Sequence, residues 1–348
     1  METKKIKVAF LSFYSGKVYR GVETYVHELA NRLIDLDVDV TVYQNGDKLP
    51  NSKYKVNSSK LKINWKIPFK NFYWNILLGK HVIRVLRNID ADIIVATNGS
   101  TQTLLVKLWC LINNKKIIIP GQSGPGGDDK FNLICFPNCF IALTNWQKGW
   151  AKKINPFVKT EVIPNGVDLK KFNKNIKPIQ INLPKPIVLN VGALVEEKRQ
   201  DLIIKAVSKT NASLLIVGKG NKEEELRKLG DKLLPGRFKI VSFSHEKMPE
   251  VYTSCDLFTY PTVSWESFGI VMVEAMASGL PVVANNDPIR REIVGNAGYF
   301  VDPINTEEYA KVLDQGLKTK WGSAPRKQAE KFSWDEIAKK YKDIIEEL

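Results

Sequence analysis

The sequence predicts an α/β protein of two doubly wound domains, each a parallel β-sheet covered by helices on both faces. A chain of 348 residues, 44% of them apolar, is long enough to form two hydrophobic cores. Short apolar runs alternate with segments of helical periodicity, and several of these runs end in glycine-rich or polar loops. Such alternation is typical of parallel sheets, which bind ligands beyond the carboxyl ends of their strands.

The first domain is expected over residues 1–170. It opens with a buried-type strand at 6–13, a turn at 14–21 and a helix at 22–36 whose apolar positions recur at helical spacing. The Lys- and Pro-rich stretch that ends at Pro186 is interpreted as an inter-domain linker. Further strands of the first domain are predicted at Val38–Tyr43, Asp92–Ala96, Lys116–Ile119, Cys139–Ala142 and Glu161–Ile163.

The second domain is expected over residues 171–333. Its first strand occupies 186–192 and runs into a glycine, and the run at 213–220 again passes from a strand into a Gly loop. A third strand at 256–260 stops at Pro261. Helices are predicted after this strand at Gly269–Gly279, Ile289–Val294, Thr306–Leu317 and Trp334–Leu348.

The most informative stretch follows the strand at 256–260. A loop at 261–268 lies at the carboxyl end of that strand and leads into the helix that begins near Gly269. The backbone N–H groups of Phe268, Gly269 and Ile270, together with the positive end of the helix dipole, suit a phosphate oxygen. Glycine at 269 allows backbone to approach a ligand closely.

Two carboxylates, Glu266 and Glu274, flank this anion-binding point at a spacing of eight positions. A carboxylate accepts hydrogen bonds from hydroxyl groups, so the pattern indicates a polyol next to a phosphate. The alternative is an ordinary amphipathic helix with two solvated glutamates.

The stretch resembles the Glu-x7-Glu motif of the retaining glycosyltransferases of family 4, the glycosyl transferases group 1, because Ser-Phe-Gly-Ile lies inside it and Ala-Ser-Gly-Leu-Pro-Val-Val-Ala follows. The resemblance implies the GT-B fold, in which two Rossmann-like domains face a central cleft. It implies that Glu266 and the backbone of Ser267 to Ile270 hold the donor sugar, and that Glu274 accepts from the ribose hydroxyls. It also implies that the last helix, 334–348, crosses back to the first domain.

Three further segments are similar to motifs of the same family. Gly21, in Arg20-Gly21-Val22-Glu23, corresponds to the glycine-rich loop that presents N–H to a donor phosphate. The segment after Gly192 resembles Gly-Arg-Leu-x-x-x-Lys-Gly, with Ala193 at the Arg position, Lys198 at the Lys position and Arg199 at the second Gly position. The resemblance assigns Lys198 to the donor diphosphate, and Arg199 would restore the charge missing at Ala193 if its side chain turned into the cleft. It places the loop at Gly218 beside the nucleobase.

Two loops of the first domain are candidates for the acceptor side. One is 97–100, which contains Asn98, and the other is the polar and flexible loop 121–129, which contains Gln122 and Ser123. Many family members carry a histidine at the position of Gln122. A surface loop without a binding role would have the same composition.

The net charge of +15 is concentrated in the first half of the chain. Residues 48–88 contain ten basic residues and no acidic one, and aromatic residues are interleaved with them. This composition suits an anionic membrane surface, a phosphorylated acceptor or nucleic acid, with a solvated lysine face as the alternative. The aromatic residues on which this interpretation depends are Trp65, Phe69, Phe72, Tyr73 and Trp74.

The remaining composition excludes several classes of protein. There is no uncharged apolar run of 18 residues and no convincing signal peptide, so no membrane span is expected. The four cysteines lack the spacing of metal ligands, so a reducing cytoplasm is expected and no metal site is predicted.

These observations predict a cytoplasmic, metal-independent retaining glycosyltransferase, which could be peripheral on the inner membrane face. It would move a hexose-type sugar from a UDP-, GDP- or ADP-sugar to a saccharide or lipid-linked acceptor in cell-surface polysaccharide biosynthesis, without a cofactor. Glu266 would orient the sugar and Lys198 would bind the phosphate. Two alternatives stay open: a non-catalytic partner subunit, suggested by Ala193, Arg20 and Gln122, and a nucleic-acid-binding protein that uses residues 48–88.

Overall fold

A computed structural model describes residues 5–18, 20–63 and 72–348. The chain divides into two compact units, one formed by Met1–Asn165 with Trp334–Leu348 and the other by Gly166–Ser333. Each unit has a parallel sheet covered by helices, which confirms the predicted α/β class. The strands and helices predicted above lie within two residues of those observed.

The first unit contains a seven-stranded parallel sheet in the order β3-β2-β1-β4-β5-β6-β7. The strand order reverses beside β1, where Val8 pairs with Val40 of β2 on one side and with Ile93 of β4 on the other. The strands are β1 (Lys7–Leu11), β2 (Asp39–Gln44), β3 (Lys55–Ser58), β4 (Ile93–Ala96), β5 (Lys116–Pro120), β6 (Cys139–Ala142) and β7 (Thr160–Val162).

Helices cover both faces of this sheet. The helix α13 packs against α1, where Tyr25 donates its hydroxyl to that of Tyr341 at 3.0 Å and Trp334 is buried. The opposite face is covered by α2, α3 and α5, whose apolar side chains form a second core with the sheet. The helices are α1 (Gly21–Asp35), α2 (Phe72–Leu86), α3 (Ser100–Ile112), α4 (Gly127–Ile134), α5 (Asn145–Ile154) and α13 (Trp334–Glu347).

The second unit contains a six-stranded parallel sheet in the order β10-β9-β8-β11-β12-β13. Its strand order reverses between β8 and β11, so the loops that follow these two strands diverge from a topological switch point. The strands are β8 (Ile187–Val191), β9 (Ser213–Val217), β10 (Phe238–Val241), β11 (Leu257–Tyr260), β12 (Val282–Asn285) and β13 (Gly298–Val301).

Seven helices and one short 3-10 turn, Glu196–Lys198, surround this sheet within the described residues. The helix α9 is buried on all sides, because every residue from Met272 to Ala277 is inaccessible to solvent or nearly so. The helices are α6 (Gln200–Val207), α7 (Glu223–Leu233), α8 (Met248–Thr253), α9 (Ile270–Ala277), α10 (Pro288–Val294), α11 (Thr306–Lys318) and α12 (Ala324–Glu330).

Candidate functional site

Lys198 and Glu266 meet at the switch point of the second unit. The ammonium Nζ of Lys198 lies 2.5 Å from Oε2 of Glu266 and donates to the hydroxyl of Tyr260 at 2.7 Å. Their side chains keep 19% and 23% of their surface exposed, so the pair is accessible but partly desolvated. The structure therefore brings together the two residues to which the sequence assigned the central roles.

The pKa of the Lys198 ammonium reflects opposing effects. Burial alone would lower this pKa. The electrostatic interactions and hydrogen bonds with Tyr260 and Glu266 outweigh burial, so the pKa is raised above its ordinary value. Burial in turn raises the pKa of Tyr260 to about 12. The raised pKa favours the charged form of Lys198, which suits a residue that binds phosphate.

The loop before α9 is fastened by two side chains from the neighbouring elements β12 and α10. Asn285 accepts from the N–H of Thr262 at 2.9 Å and donates to the carbonyl of the same residue at 2.6 Å. Arg290, which has no exposed surface, donates Nη1 to the carbonyl of Glu266 at 2.6 Å and pairs with Asp287 at 2.8 Å. Side chains of β12 and α10 therefore fix the backbone of the loop that carries Glu266.

Sequence reasoning missed Arg290. It assigned the segment 289–294 to a helix, and a charged residue in a short helix ordinarily faces solvent. The Nη2 group of Arg290 also points at the carbonyls of Val263 and Ser264, at 3.4 and 3.3 Å. No local sequence signal reveals such a contact, since its partners lie more than twenty positions away in a loop without regular structure.

Gly269 caps α9 with a backbone that only glycine adopts easily. Its φ of +88° lies in the left-handed region, and a Cβ there would stand 2.8 Å from the ring of Tyr260. Within the described chain, the backbone N–H groups of Phe268, Gly269 and Ile270 make no hydrogen bond. These three donors lie at the positive end of α9, and their binding of an anion stays a prediction.

Glu274 is the most buried carboxylate of the site, with 5% of its surface exposed. Its Oε2 accepts the hydroxyl hydrogen of Tyr252 at 2.8 Å, and its Oε1 lies 3.4 Å from Nε2 of His245. The alternative of an amphipathic helix with two solvated glutamates is therefore wrong. A carboxylate has about four acceptor positions, so Glu274 retains capacity for a ligand hydroxyl.

His245 is a second residue that sequence reasoning left without a role. Its Nδ1 lies 2.8 Å from Nζ of Lys171, and its ring packs edge-on against Phe172. The histidine thus links Lys171 to Glu274 in a single polar cluster. Its position before a short helix gave no indication of this, because both partners lie far away in the chain.

Gly192 and Gly218 let the loops after β8 and β9 lie against each other. A Cβ on Gly218 would stand 1.9 Å from the carbonyl oxygen of Gly192, and a Cβ on Gly192 would touch the side chain of Lys198 at 4.0 Å. Leu194 donates its N–H to the carbonyl of Lys219 at 3.0 Å. A side chain at position 218 would therefore push the two loops apart, and Gly192 lies next to the side chain of Lys198.

Arg199 adopts the left-handed conformation, with φ 49° and ψ 38°, at the position where the family usually has glycine. The chain thus keeps the glycine-type backbone with a bulkier residue. Arg199 is half-buried, and in the part of the chain that the structure describes its guanidinium has no hydrogen bond or ion pair. Ala193 is exposed, and its carbonyl accepts from Gln200 at 2.9 Å.

In the first unit, Arg20 immediately precedes α1, and its side chain contacts Glu23 in the first turn of that helix. Nη2 and Nε of Arg20 are 2.9 and 3.2 Å from the carboxylate of Glu23, and its guanidinium stacks 4.7 Å from the ring of Tyr14. Gly21 is the first residue of α1. The backbone N–H of Arg20 also donates to Glu23 at 3.1 Å, so Glu23 caps the N-terminus of this helix, whereas the Arg20 guanidinium is a donor only and cannot accept a helix N–H.

The predicted acceptor-side residues take part in local contacts. The side chain of Asn98 accepts the N–H of Phe13 at 2.8 Å, and Gln122 forms a reciprocal amide pair with Asn165 at 2.8 and 3.0 Å. Ser123 is exposed. All three lie in the first unit, whereas Lys198, Glu266 and Glu274 lie in the second.

The loop predicted over 121–129 is shorter and better anchored than expected. The helix α4 begins at Gly127, and Asp129 is buried, where its carboxyl accepts from Asn132 at 3.2 Å and from Gln147 at 3.3 Å. Burial raises the pKa of Asp129 to about 8, against the hydrogen bonds that it accepts. The loop is therefore not an unrestrained polar segment, because a buried side chain fastens its C-terminal end.

Several residues of the basic segment 48–88 make contacts within the chain, and the partner of this segment stays a prediction. Lys53 and Lys55 pair with Asp35 and Asp39, Arg84 donates to a backbone carbonyl, and residues 55–58 form the exposed edge strand β3. Trp74 is buried in a small core instead of facing a partner, and Tyr73 is partly buried against it. The predicted contributions of Trp65, Phe69 and the Phe72 side chain lie outside the described residues.

The described residues contain no group of three or more His, Cys, Asp or Glu side chains that could hold a metal ion. Across the same residues, no helix combines the length and the apolar character needed to cross a bilayer.

Comparisons with known proteins identify the family and the fold of the chain. Residues 19–119 match the family Glycosyltransferase Family 4, and residues 171–340 match Glycosyl transferases group 1. An uncharacterized glycosyltransferase of Methanocaldococcus jannaschii is 32% identical over 209 residues, which cover 53% of each chain. A GDP-mannose-dependent monoacylated alpha-(1-6)-phosphatidylinositol monomannoside mannosyltransferase of Corynebacterium glutamicum is 27% identical over 212 residues, 53% of this chain and 56% of that protein. The chain thus matches about half the length of these curated relatives.

Solved structures match along almost the whole chain. Anabaena HepE in complex with UDP and glucose superimposes with a TM-score of 0.77 at 19% identity, covering 99% of this chain and 100% of that one. Sucrose-phosphate synthase of Thermosynechococcus elongatus gives a TM-score of 0.80 at 18% identity, covering 99% of each chain. At these identities the likeness shows the fold. Together with the two family matches, it confirms that the chain belongs to the group 1 glycosyl transferases of family 4 and has the GT-B fold.

Proposed function

We propose that the chain is a retaining glycosyltransferase that moves a hexose-type sugar from a nucleoside diphosphate sugar to a saccharide or lipid-linked acceptor. The observation that carries this proposal is the ion pair of Lys198 with Glu266 beside the unpaired N–H groups at the start of α9. A cation, backbone donors and a carboxylate at one switch point suit a diphosphate with a sugar attached.

In this proposal each group has a separate task. Lys198 and the N–H groups of Gly269 and Ile270 offset the charge that develops on the departing diphosphate. Glu266 accepts from sugar hydroxyls and orients the anomeric carbon, and Glu274 accepts from the ribose. Gly21 and Gly192 offer close backbone approach to the donor, and Gly218 lies beside the base.

Retention would follow from attack on the face that the diphosphate leaves. The bond from the anomeric carbon to the phosphate oxygen breaks, the bond to the acceptor oxygen forms on the same side, and the acceptor proton passes to the leaving phosphate. The residues of this chain then contribute positioning and electrostatics. Asn98, Gln122 and Ser123 are proposed to face the acceptor.

The names of similar proteins support both a nucleotide-sugar donor and a lipid-linked acceptor. HepE is described with UDP and with UDP-glucose, and the C. glutamicum relative is named for GDP-mannose and a phosphatidylinositol mannoside. A lipid-linked acceptor would place the reaction at the cytoplasmic face of a membrane, in the assembly of a cell-surface polysaccharide. Lys198 would bind the diphosphate without a divalent ion, and nucleic acid is not expected as a partner.

The test is a thermal-shift screen with UDP, GDP and ADP and then with their sugars. We expect one nucleotide to raise the melting temperature and its sugar to be hydrolysed or transferred. No shift with any nucleotide would overturn the proposal. A shift without turnover of any donor, alone or with partner proteins, would instead support the non-catalytic subunit that Ala193 suggests.

A further inference from the structure

Polar side chains from two remote segments of the second unit lead to Glu274. Lys171 lies between β7 and β8, and His245 lies in the turn between β10 and α8. The Nζ of Lys171 is 2.8 Å from Nδ1 of His245, and Nε2 of His245 is 3.4 Å from Oε1 of Glu274. The imidazole therefore joins a cation on one side to a carboxylate on the other.

Lys171 determines the direction of both hydrogen bonds. A lysine ammonium carries only donors, so Nδ1 of His245 accepts in its contact with Lys171. The single proton of a neutral imidazole then lies on Nε2. A protonated imidazole would place a second cationic N–H against the ammonium, which like charges disfavour. Lys171 thus selects the tautomer of His245 that donates from Nε2 to Glu274.

Tyr252 supplies a second donor to the same carboxylate. This tyrosine is buried, and its hydroxyl donates to Oε2 of Glu274 at 2.8 Å. Burial, and after it the charge of Glu274, raises the pKa of the Tyr252 hydroxyl well above its ordinary value, so the hydroxyl keeps its proton. Each carboxylate oxygen of Glu274 therefore accepts from one protein group.

The remaining acceptor positions of Glu274 match two neighbouring hydroxyl groups. A carboxylate has about four acceptor positions, and His245 and Tyr252 use one on each oxygen. Rotation of the carboxylate about its last bond would break both contacts, so the two donors fix its plane. One position is left on each of two adjacent oxygens, which is the arrangement that a vicinal diol such as that of ribose requires.

Phe172 fixes the imidazole ring in place. Its buried ring packs edge-on against His245 and against Tyr252, with 5.9 Å between centroids in both cases. Asp168 orders the turn that carries Phe172 and Lys171. Its carboxylate accepts the N–H of Lys171 at 3.0 Å, and its carbonyl accepts the N–H of Phe172 at 2.9 Å. The group that selects the tautomer and the ring that holds the imidazole therefore come from one ordered turn.

We propose that His245, in the tautomer that Lys171 selects, is a positioning residue that aligns Glu274 with the two hydroxyl groups of the donor's ribose. The consequence is specificity, because a ribonucleotide makes hydrogen bonds at Glu274 that a deoxyribonucleotide cannot make. The inference rests on the proposed function, since Glu274 meets a ribose only if the donor is a nucleoside diphosphate sugar.

The first test compares nucleotides with and without the two hydroxyl groups. Whichever of UDP, GDP and ADP raises the melting temperature is titrated by calorimetry, together with its 2′-deoxy and 3′-deoxy analogues. Each analogue should bind the parent chain about tenfold more weakly than the ribonucleotide. His245→Phe keeps an aromatic ring against Phe172 but cannot donate. Its discrimination against at least one analogue should fall to about threefold or less.

Two further substitutions separate donation from packing. His245→Gln carries an amide N–H that can replace the Nε2–H group, so it should restore most of the discrimination. A glutamine variant that discriminates as poorly as the phenylalanine variant would show that donation from position 245 is not the cause. Lys171→Met removes the group that selects the tautomer and should also lower the discrimination. The matched control is Lys170→Met, the exposed neighbour, which should equal the parent.

Nitrogen-15 spectra of the imidazole rings test the tautomer without any ligand. The chain has three histidines, so comparison with His245→Phe assigns the signals of His245. The parent should show a protonated Nε2 and an unprotonated Nδ1, and Lys171→Met should show a mixture of the two tautomers. Circular dichroism melting checks that each variant folds. If His245→Phe does not fold, Lys171→Met decides the question.

Three results would overturn the inference. They are a proton on Nδ1 of His245 in the parent, unchanged discrimination in both His245→Phe and Lys171→Met, and an equal loss of affinity for the nucleotide and its analogues in His245→Phe. The last result would mark a merely structural role. Absence of binding by every nucleotide would refute the proposed function together with the inference, whereas normal nucleotide binding with any of the three results refutes the inference alone.

Discussion

Arg290 donates from Nη1 to the carbonyl oxygen of Glu266 across 2.6 Å, so a fully buried cation fixes the backbone of the residue proposed to orient the sugar. The same guanidinium pairs with Asp287 of α10 and approaches the carbonyls of Val263 and Ser264. The planar fork of arginine can serve several acceptors at once, which lysine cannot. We infer that Arg290 is a positioning residue for the donor loop.

This relationship predicts different outcomes for two substitutions at position 290. Arg290→Met leaves Asp287 and three carbonyls without their partner and should lower the free energy of unfolding by about 3–5 kcal/mol. Arg290→Lys keeps the charge but makes fewer hydrogen bonds to the donor loop. Because Glu266 is then positioned less well, kcat should fall by about tenfold or more, while the nucleotide alone binds normally. Urea unfolding and steady-state kinetics measure both effects.

The control is Arg291→Met, which removes the exposed neighbouring arginine, bonded to Asn286 at 2.7 Å. Its stability and turnover should stay close to those of the parent. A lysine variant with normal kcat, or with losses confined to stability, would show that Arg290 is only structural.

Lys198 and Glu266 should lose different functions when substituted. Glu266→Gln should lower turnover by about a hundredfold and leave binding of the free nucleoside diphosphate intact, since the carboxylate is proposed to contact the sugar. Lys198→Met should lower turnover and also weaken binding of the nucleoside diphosphate, because it removes a phosphate-binding cation. Calorimetric titration with the nucleotide and turnover of its sugar distinguish the two patterns.

A matched control is available in the same unit. Lys228 and Glu224 form an exposed ion pair at 2.7 Å on α7, so Lys228→Met and Glu224→Gln repeat the chemistry away from the site. Both should be silent in binding and turnover. Equal losses of nucleotide affinity in Lys198→Met and Glu266→Gln would contradict the separate assignments.

Arg199 offers a test that separates backbone strain from ligand binding. Arg199→Gly should not lower stability, because relief of the left-handed strain, about 1 kcal/mol, offsets the greater freedom of glycine in the unfolded chain. If the guanidinium serves the donor diphosphate in place of an arginine at 193, the same substitution should weaken donor binding by about tenfold.

Lys60→Gly is the control, because Lys60 also has a positive φ, 48°, but lies in the first unit. It should reproduce the effect on stability without a change in donor affinity. A glycine variant at 199 that binds the donor as tightly as the parent would exclude Arg199 as a phosphate ligand.

The sequence was sufficient to predict the elements that carry the site. Apolar runs such as Asp256–Tyr260 are buried-type strands, and a helix that starts at Gly269 just beyond one of them fixes where an anion can bind. The strand β3 escaped prediction because it is an exposed edge strand with alternating burial and one apolar residue, Val56. Its stability comes from pairing with β2 and not from its own composition.

The supporting contacts could not be predicted for a different reason. Arg290 to Glu266, and His245 to Glu274, join residues 24 and 29 positions apart in loops and short helices. Their geometry depends on the three-dimensional packing of several elements, whereas periodicity and motif spacing report only on neighbours in the chain. The side chains that fasten the site therefore emerge only from the structure.

His81 predicts a pH dependence of stability in the first unit. It is buried on α2 with its Nδ1 3.0 Å from the hydroxyl of Ser59, and burial lowers the pKa of its imidazole to about 4, against a hydrogen bond with the backbone of Tyr43. The unfolded chain binds a proton at this residue near its ordinary pKa of 6.5. Between these two values the unfolded state holds more protons, so the free energy of unfolding falls as the pH falls.

The expected loss from His81 between about pH 7 and pH 4 is about 3 kcal/mol, at 1.36 kcal/mol for each pKa unit. His81→Gln cannot take up the proton, so its unfolding free energy should depend less on pH across this window, and the difference from the parent should grow with acidity. Urea unfolding at several pH values measures it. Asn75→Gln, an exposed change on the same helix, should keep the slope of the parent. Parallel pH profiles for His81→Gln and the parent would mean that His81 is protonated in the folded chain as readily as in the unfolded one.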